Sequence, residues 1–189
     1  MPVSKVVSVL GGGGLAVIPT DTIYGIVARA RDRKAIARLY QLRRQTPKKP
    51  FIILVDSIER LHDFKIALTP EQKEFLKKVW PNKVSVVLPC PAKEFSYLHL
   101  GTKTLAFRLP KSAKLQALLK KTGPLVAPSA NPEGKKPAET IAEAKDYFGD
   151  KVGMYVSASK RYFGKPSTLL SFVGKRPKVL REGAVTITV

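Results

Sequence analysis

The chain is poor in the residues that most often carry covalent, redox or metal chemistry. Its 189 residues include one cysteine, Cys90, and two histidines, His62 and His99. A single cysteine cannot close an internal disulfide, which fits a reducing, cytoplasmic setting. With no reactive surroundings, Cys90 reads as a small core hydrophobe. Neither histidine stands at metal-ligand spacing from a cysteine or carboxylate, and no serine or cysteine nucleophile motif accompanies them. Acids number only 14 and are scattered, which argues against a paired-carboxylate hydrolase. No apolar run approaches the ~18 residues of a membrane span. The apolar opening breaks at Gly11 to Gly14, too early for a signal peptide. No Gly-Lys-Ser/Thr follows those glycines, so they read as a turn and not as a phosphate-binding loop.

Positive charge is what the chain has in excess. Lysine and arginine number 34, for a formal net charge of +20. Self-repulsion of that size opposes compaction and points to a polyanionic partner or an anionic substrate. Hydrophobic residues make up 44% of the chain, enough for a core. The length suits one domain over 1–189.

The most informative stretch is Pro19-Thr20-Asp21-Thr22-Ile23-Tyr24-Gly25. It follows the apolar run Leu15 to Ile18, which reads as a buried strand. Two hydroxyls and a carboxylate thus leave the end of a core strand, a usual place for ligand contacts in α/β proteins. The pattern recurs at Leu125-Val126-Ala127, which runs into Pro128-Ser129-Ala130-Asn131, and Pro166-Ser167-Thr168 again sets a proline and two hydroxyls beside apolar Leu169-Leu170.

Between these stretches, elements alternate. Residues 2–10 fit a helix or a strand. Asp32 caps a helix through about Gln41, with Ile36, Leu39 and Tyr40 on one face. A basic, proline-punctuated loop from Arg43 to Pro50 leads into an apolar strand, Phe51 to Val55. Thr69-Pro70-Glu71-Gln72 forms a capping box, and Trp80-Pro81 ends its helix. Val84 to Leu88 and Thr104 to Arg108 read as strands, with Leu98 to Lys103 as loop. Ser112 caps a helix carrying Leu115, Leu118 and Leu119 that stops at Gly123-Pro124. Thr140 and Glu143 predict another capping box, with Gly149 as the stop. Strands interleaved with helices predict an α/β fold. Strand-end hydroxyls and amides with Arg and Lys suit the binding of phosphates and carboxylates, and catalysis by positioning and charge neutralisation.

Seven short motifs occur in the order found in the YrdC/TsaC family of threonylcarbamoyl-AMP synthases. They are Pro19 to Gly25, the basic loop ending Lys49-Pro50, Trp80-Pro81, Arg108-Leu109-Pro110, Pro128 to Asn131, Pro166-Ser167-Thr168 and Leu180 to Gly183. The chain resembles the short form of that family. The resemblance implies a single-domain α/β fold, a twisted mixed sheet with flanking helices around a positively charged cavity. It implies synthesis of threonylcarbamoyl-AMP from L-threonine, bicarbonate or CO2, and ATP, with release of pyrophosphate. A tRNA-modifying threonylcarbamoyl transferase would be the downstream partner, acting next to the anticodon.

By position, Thr22, Arg108, Ala127 and Ser167 would hold threonine. Arg43, Gln45, Lys49, Thr104, Ser129, Asn131 and Arg181 would surround ATP. No residue is implied as a covalent catalyst; Arg43, Lys49 and Arg108 would position substrates and stabilise charge. Mg2+ would accompany ATP. The chain departs from the family in two places. Arg43 and Gln45 stand where Lys-x-Arg is usual, and Leu54 stands where longer members often have histidine. The competing expectation is a non-catalytic module of the same fold that binds double-stranded RNA or tRNA through its charge.

Overall fold

The computed structural model describes residues 1–43, 50–158, 162 and 164–188. In chain order, helix α1 (Val3–Gly11) leads into a hairpin of β1 (Ala16–Pro19) and β2 (Tyr24–Arg29), then α2 (Arg33–Arg43) and β3 (Ile52–Leu54). Next come α3 (Pro70–Val79), β4 (Val84–Pro89), α4 (Ser96–His99) and β5 (Thr104–Arg108). The chain continues through α5 (Ala113–Thr122), β6 (Leu125–Val126), α6 (Ile141–Phe148), β7 (Met154–Tyr155), β8 (Thr168–Ser171) and β9 (Lys178–Arg181). The strands form one nine-stranded sheet in the order β7-β1-β2-β6-β3-β5-β4-β8-β9. It is mixed: β1/β7, β3/β5 and β4/β8 run parallel, and the other pairs antiparallel.

The period-two pattern of the strands divides the core. Leu15, Val17, Ile26, Ile53, Phe107, Val86 and Leu170 join the larger cluster, which also takes Ile36 and Leu39 of α2, Leu76 of α3 and Phe148 of α6. Ala16, Ile18, Val27, Leu54 and Leu125 face the other way, against Val6 and Leu10 of α1 and Leu115, Leu118 and Leu119 of α5. Residues 2–10 are therefore helical because Val6 and Leu10, one turn apart, both reach that second cluster.

Caps set most helix boundaries. Asp32 Oδ1 accepts from Ala35 N at 2.9 Å, and α2 runs to Arg43, two residues beyond the predicted end. Ser112 and Thr140 accept from the backbone at Leu115 and Glu143. Glu143 Oε2, however, accepts from Glu139 N at 2.7 Å and not from the cap residue. One expectation is corrected. Residues 98–103 are not all loop: Leu98 and His99 are buried and close a short helix, α4. In the stretch Pro19 to Gly25, Tyr24 and Gly25 pair with Pro19 and Ile18 as the start of β2.

At α3, Thr69 Oγ1 accepts from Gln72 N at 3.2 Å, and Gln72 Oε1 accepts from Thr69 N at 3.0 Å. Gln72 Nε2 also donates to Phe172 O at 2.9 Å, which ties the helix start to the chain after β8. Thr69→Ala should lower stability by about 1 kcal/mol, read as a lower urea midpoint at unchanged slope. A midpoint equal to wild type would show that the cap contributes nothing.

Candidate active site

The β1–β2 hairpin tip is organised by its own hydroxyls. Thr20 Oγ1 donates to Ile23 O at 2.7 Å and accepts from Thr22 N at 3.2 Å, with Thr22 Oγ1 3.0 Å away. Thr22 is buried as a result. Gly25 sits where a Cβ would come within 3.0 Å of Thr20 Cγ2 and 3.4 Å of Pro128 O. That close approach lets the hairpin dock on the segment after β6: Ala130 N donates to Tyr24 O at 2.9 Å, and Ile26 N to Pro128 O at 3.0 Å.

Arg108 ends β5. Its Nη2 donates to Asp21 Oδ1 at 3.0 Å, and the two side chains are only 4% and 6% exposed. Arg108 Nε and Asp21 Oδ2 are both buried without a hydrogen-bond partner. Burial lowers the Arg108 pKa, and the Asp21 charge opposes that shift. Tyr162 packs its ring edge-on against Tyr24, with centroids 5.5 Å apart, and its hydroxyl donates to Thr20 O. Burial, and then the nearby Asp21 charge, raise the Tyr162 pKa.

Across the sheet, Ser167 Oγ meets Ser85 Oγ at 2.9 Å, and Arg181 Nη2 donates to Ser167 O at 2.8 Å. A β-bulge places Arg181 there. Leu169 pairs with Arg181 and Leu170 with Val179, so Leu180 is the extra residue and stands exposed. Bulges re-aim side chains in this way beside functional clefts.

At the end of α2, Arg43 turns inward. Its Nε donates to Asn131 O at 2.9 Å and its Nη2 to Ser129 Oγ at 3.3 Å, with the guanidinium carbon 5.6 Å from the Phe51 ring centre. Burial lowers its pKa to about 10, against the pull of Glu133.

Six of these residues, Thr22, Arg43, Arg108, Ser129, Ser167 and Arg181, border one cavity of about 230 Å³. Arg43, Arg108 and Arg181 supply its cations, Thr22, Ser129 and Ser167 its hydroxyls, and Ala127 part of its wall. A larger groove of about 540 Å³, bordered by Arg38, Leu42, Glu133 and Tyr147, contains none of the threonine or ATP contacts implied from the sequence. The smaller cavity is the candidate site because the convergent polar groups lie there.

Two proposed ATP contacts stand apart from the cavity wall. Thr104 shares a strand face with Arg108 by parity, but its hydroxyl donates to Thr102 Oγ1 at 3.1 Å. Asn131 lies behind Arg43; its Nδ2 donates to Pro132 O and Lys135 O at 2.9 and 2.8 Å, while Oδ1 is buried without a partner. Gln45 and Lys49 fall outside the described residues. Leu54 is fully buried in the cluster with Val27 and Leu125.

Three residues that hold Arg108, Ser167 and Thr20 in place are given no role by the sequence. Asp21 lies inside the opening motif, where its carboxylate was the available signal. Ser85 shows only as a lone hydroxyl in the apolar run Val84 to Leu88. Tyr162 gives no local signal, since its contact with Thr20 joins residues 142 apart.

Among the described residues, no group of three His, Cys, Asp or Glu side chains is placed to hold a metal. The cavity wall offers arginines and hydroxyls and so does not fit a protein-built Mg2+ cage. Among the same residues, no helix is long and apolar enough to cross a membrane.

Residues 8–183 match the Sua5/YciO/YrdC family model, described as "Telomere recombination". The threonylcarbamoyl-AMP synthase of Bacillus subtilis is 31% identical over 97% of this chain, which spans only 54% of that relative. The threonylcarbamoyl-AMP synthase of Thiobacillus denitrificans is 31% identical over 89% of each chain. P. abyssi Sua5, solved in complex with L-threonine, superposes with a TM-score of 0.87 at 26% identity, over 96% of this chain and 54% of that one.

Proposed function

The chain belongs to the Sua5/YciO/YrdC family, and from that premise we propose that it joins L-threonine, bicarbonate or CO2, and ATP into threonylcarbamoyl-AMP with release of pyrophosphate. The observation that carries this reading is the gathering of Arg108, Thr22 and Ser167 with Arg43, Ser129 and Arg181 around one small cavity. Arg108 receives the threonine carboxylate in a charge-assisted pair, and Thr22 and Ser167 supply hydroxyls beside it. The threonine ammonium loses a proton to solvent, the amine nitrogen bonds to the carbon of bicarbonate, water leaves, and a carbamate results. A carbamate oxygen then attacks the α-phosphorus of ATP, and the bond to pyrophosphate breaks. Arg43 and Arg181 neutralise the charge that moves onto the leaving group.

At about 230 Å³ the cavity is smaller than the ~300–1,000 Å³ usual for drug-sized ligands. It suits the amino acid, and ATP extends beyond it along the β5 face toward Thr104. Mg2+ enters on the triphosphate. The mixed anhydride formed is prone to hydrolysis, so a transferase acting on tRNA is its proposed recipient.

Pyrophosphate release from ATP should require threonine and bicarbonate together. ATP turnover that persists at the same rate without threonine would refute the reading. Salt-sensitive RNA binding with no threonine-dependent turnover would instead favour the RNA-binding module suggested by the +20 charge.

A further inference from the structure

Asp21 has a position that the reaction above does not use. It does not border the cavity; it stands behind Arg108, bound to Nη2 at 3.0 Å and 6% exposed. Arg108 does border the cavity, and its Nε remains a buried donor without a partner. The charged groups that act on Arg108 are Asp21 on the hairpin and Arg181 on β9, with the Tyr162 hydroxyl close by.

We propose that Asp21 is a specificity-determining residue: its buried charge offsets that of Arg108, which shifts the preference of this end of the cavity, where Arg181 also stands, from a bare carboxylate toward a zwitterionic amino acid. The inference rests on the reading that Arg108 receives the threonine carboxylate. With both residues ionised the pair sums to zero (+1 and −1), and with Arg181 this end of the cavity carries +1, against +2 without the Asp21 charge. A plain carboxylate brings net negative charge toward Asp21. An amino acid brings a compensating ammonium within a few ångströms of its own carboxylate. Charges this close, screened from water, differ in energy by well over thermal energy even at an effective dielectric of ~20. Removing the Asp21 charge leaves Arg108 and Arg181 unopposed here, which repels the ammonium and rewards the bare anion.

The test is calorimetric titration of the whole chain with L-threonine and with 3-hydroxybutyrate, which is threonine without its amino group. Asp21→Asn keeps the size and an acceptor oxygen while removing the charge. Preference for threonine should fall about tenfold or more, equivalent to ~1.4 kcal/mol, and Asp21→Glu should restore it. A folded Asp21→Asn protein with the wild-type preference overturns the proposal while leaving the threonine site in place. Asp21→Ser is the second neutral variant. If both neutral variants fail to fold, Asp21 is a structural counter-ion and the proposal falls. If the wild type binds neither ligand, the reading of Arg108 fails and takes this inference with it.

Discussion

Arg108→Ala should abolish threonine-dependent turnover and destabilise the chain by about 3–5 kcal/mol, because it breaks a buried ion pair and strands the surviving charge. The stranded group is Asp21, 6% exposed, whose resolved hydrogen bond is to Arg108 Nη2. The two effects can be separated. Arg108→Leu combined with Asp21→Asn removes both charges and should recover much of the stability, since a buried pair replaced by neutral groups of similar size is often tolerated. It should not recover threonine dependence. Urea unfolding and pyrophosphate release, measured on the single and double variants, check both parts. Threonine-dependent turnover in the stable double variant would remove Arg108 from the site.

The second large effect comes from a residue with no side chain. A Cβ at Gly183 would lie 2.3 Å from Pro166 O, 2.5 Å from Ser167 C and 2.6 Å from Thr168 N. All three are backbone atoms, so no rotamer change relieves the clash. Gly183→Ala must push the end of β9 away from residues 166–168. That strains the Arg181 bond to Ser167 O and the bond from Ala184 N to Pro166 O at 2.8 Å. Overpacking of this kind costs about 1–3 kcal/mol, and here it also opens one wall of the cavity. The threonine requirement should rise several-fold alongside the stability loss. Stability and threonine dependence both equal to wild type would mean that this close approach is relieved at no cost.

Elements defined by local chemistry were legible in the sequence. Thr104 to Arg108 reads as a strand because β-compatible residues end at a proline, and α3 and α5 read as helices because Thr69 and Ser112 can cap them. Residues 24–29 were missed as a strand because β2 begins inside a motif that looks like a turn. The short helix at 96–99 was missed because one turn carries no periodicity; burial of Leu98 and His99 defines it. For the site, Thr22, Ser129 and Ser167 could be singled out as hydroxyls at strand ends, and Arg108, Ala127 and Arg181 through the family resemblance. That they border one cavity follows from the insertion of β6 between β2 and β3, which no local pattern encodes. Asp21 could be seen but not assigned, because its role depends on which cation the fold brings to it from 87 residues away.

Those long separations have a consequence for the order of assembly. Asp21 joins Arg108 across 87 residues, Arg43 joins Asn131 across 88, and Tyr162 joins Thr20 across 142. Non-local contacts of this kind form late, after the loops between them have closed. As the chain emerges during synthesis, the hairpin and α2 exist long before Ser167 and Arg181 do. The basic groups of α2 are then displayed to a nucleotide-rich cell without the enclosure that would put a bound nucleotide to use. The cavity wall cannot be complete until residue 181 has been made, and a chain released before that point would lack Arg181 from it.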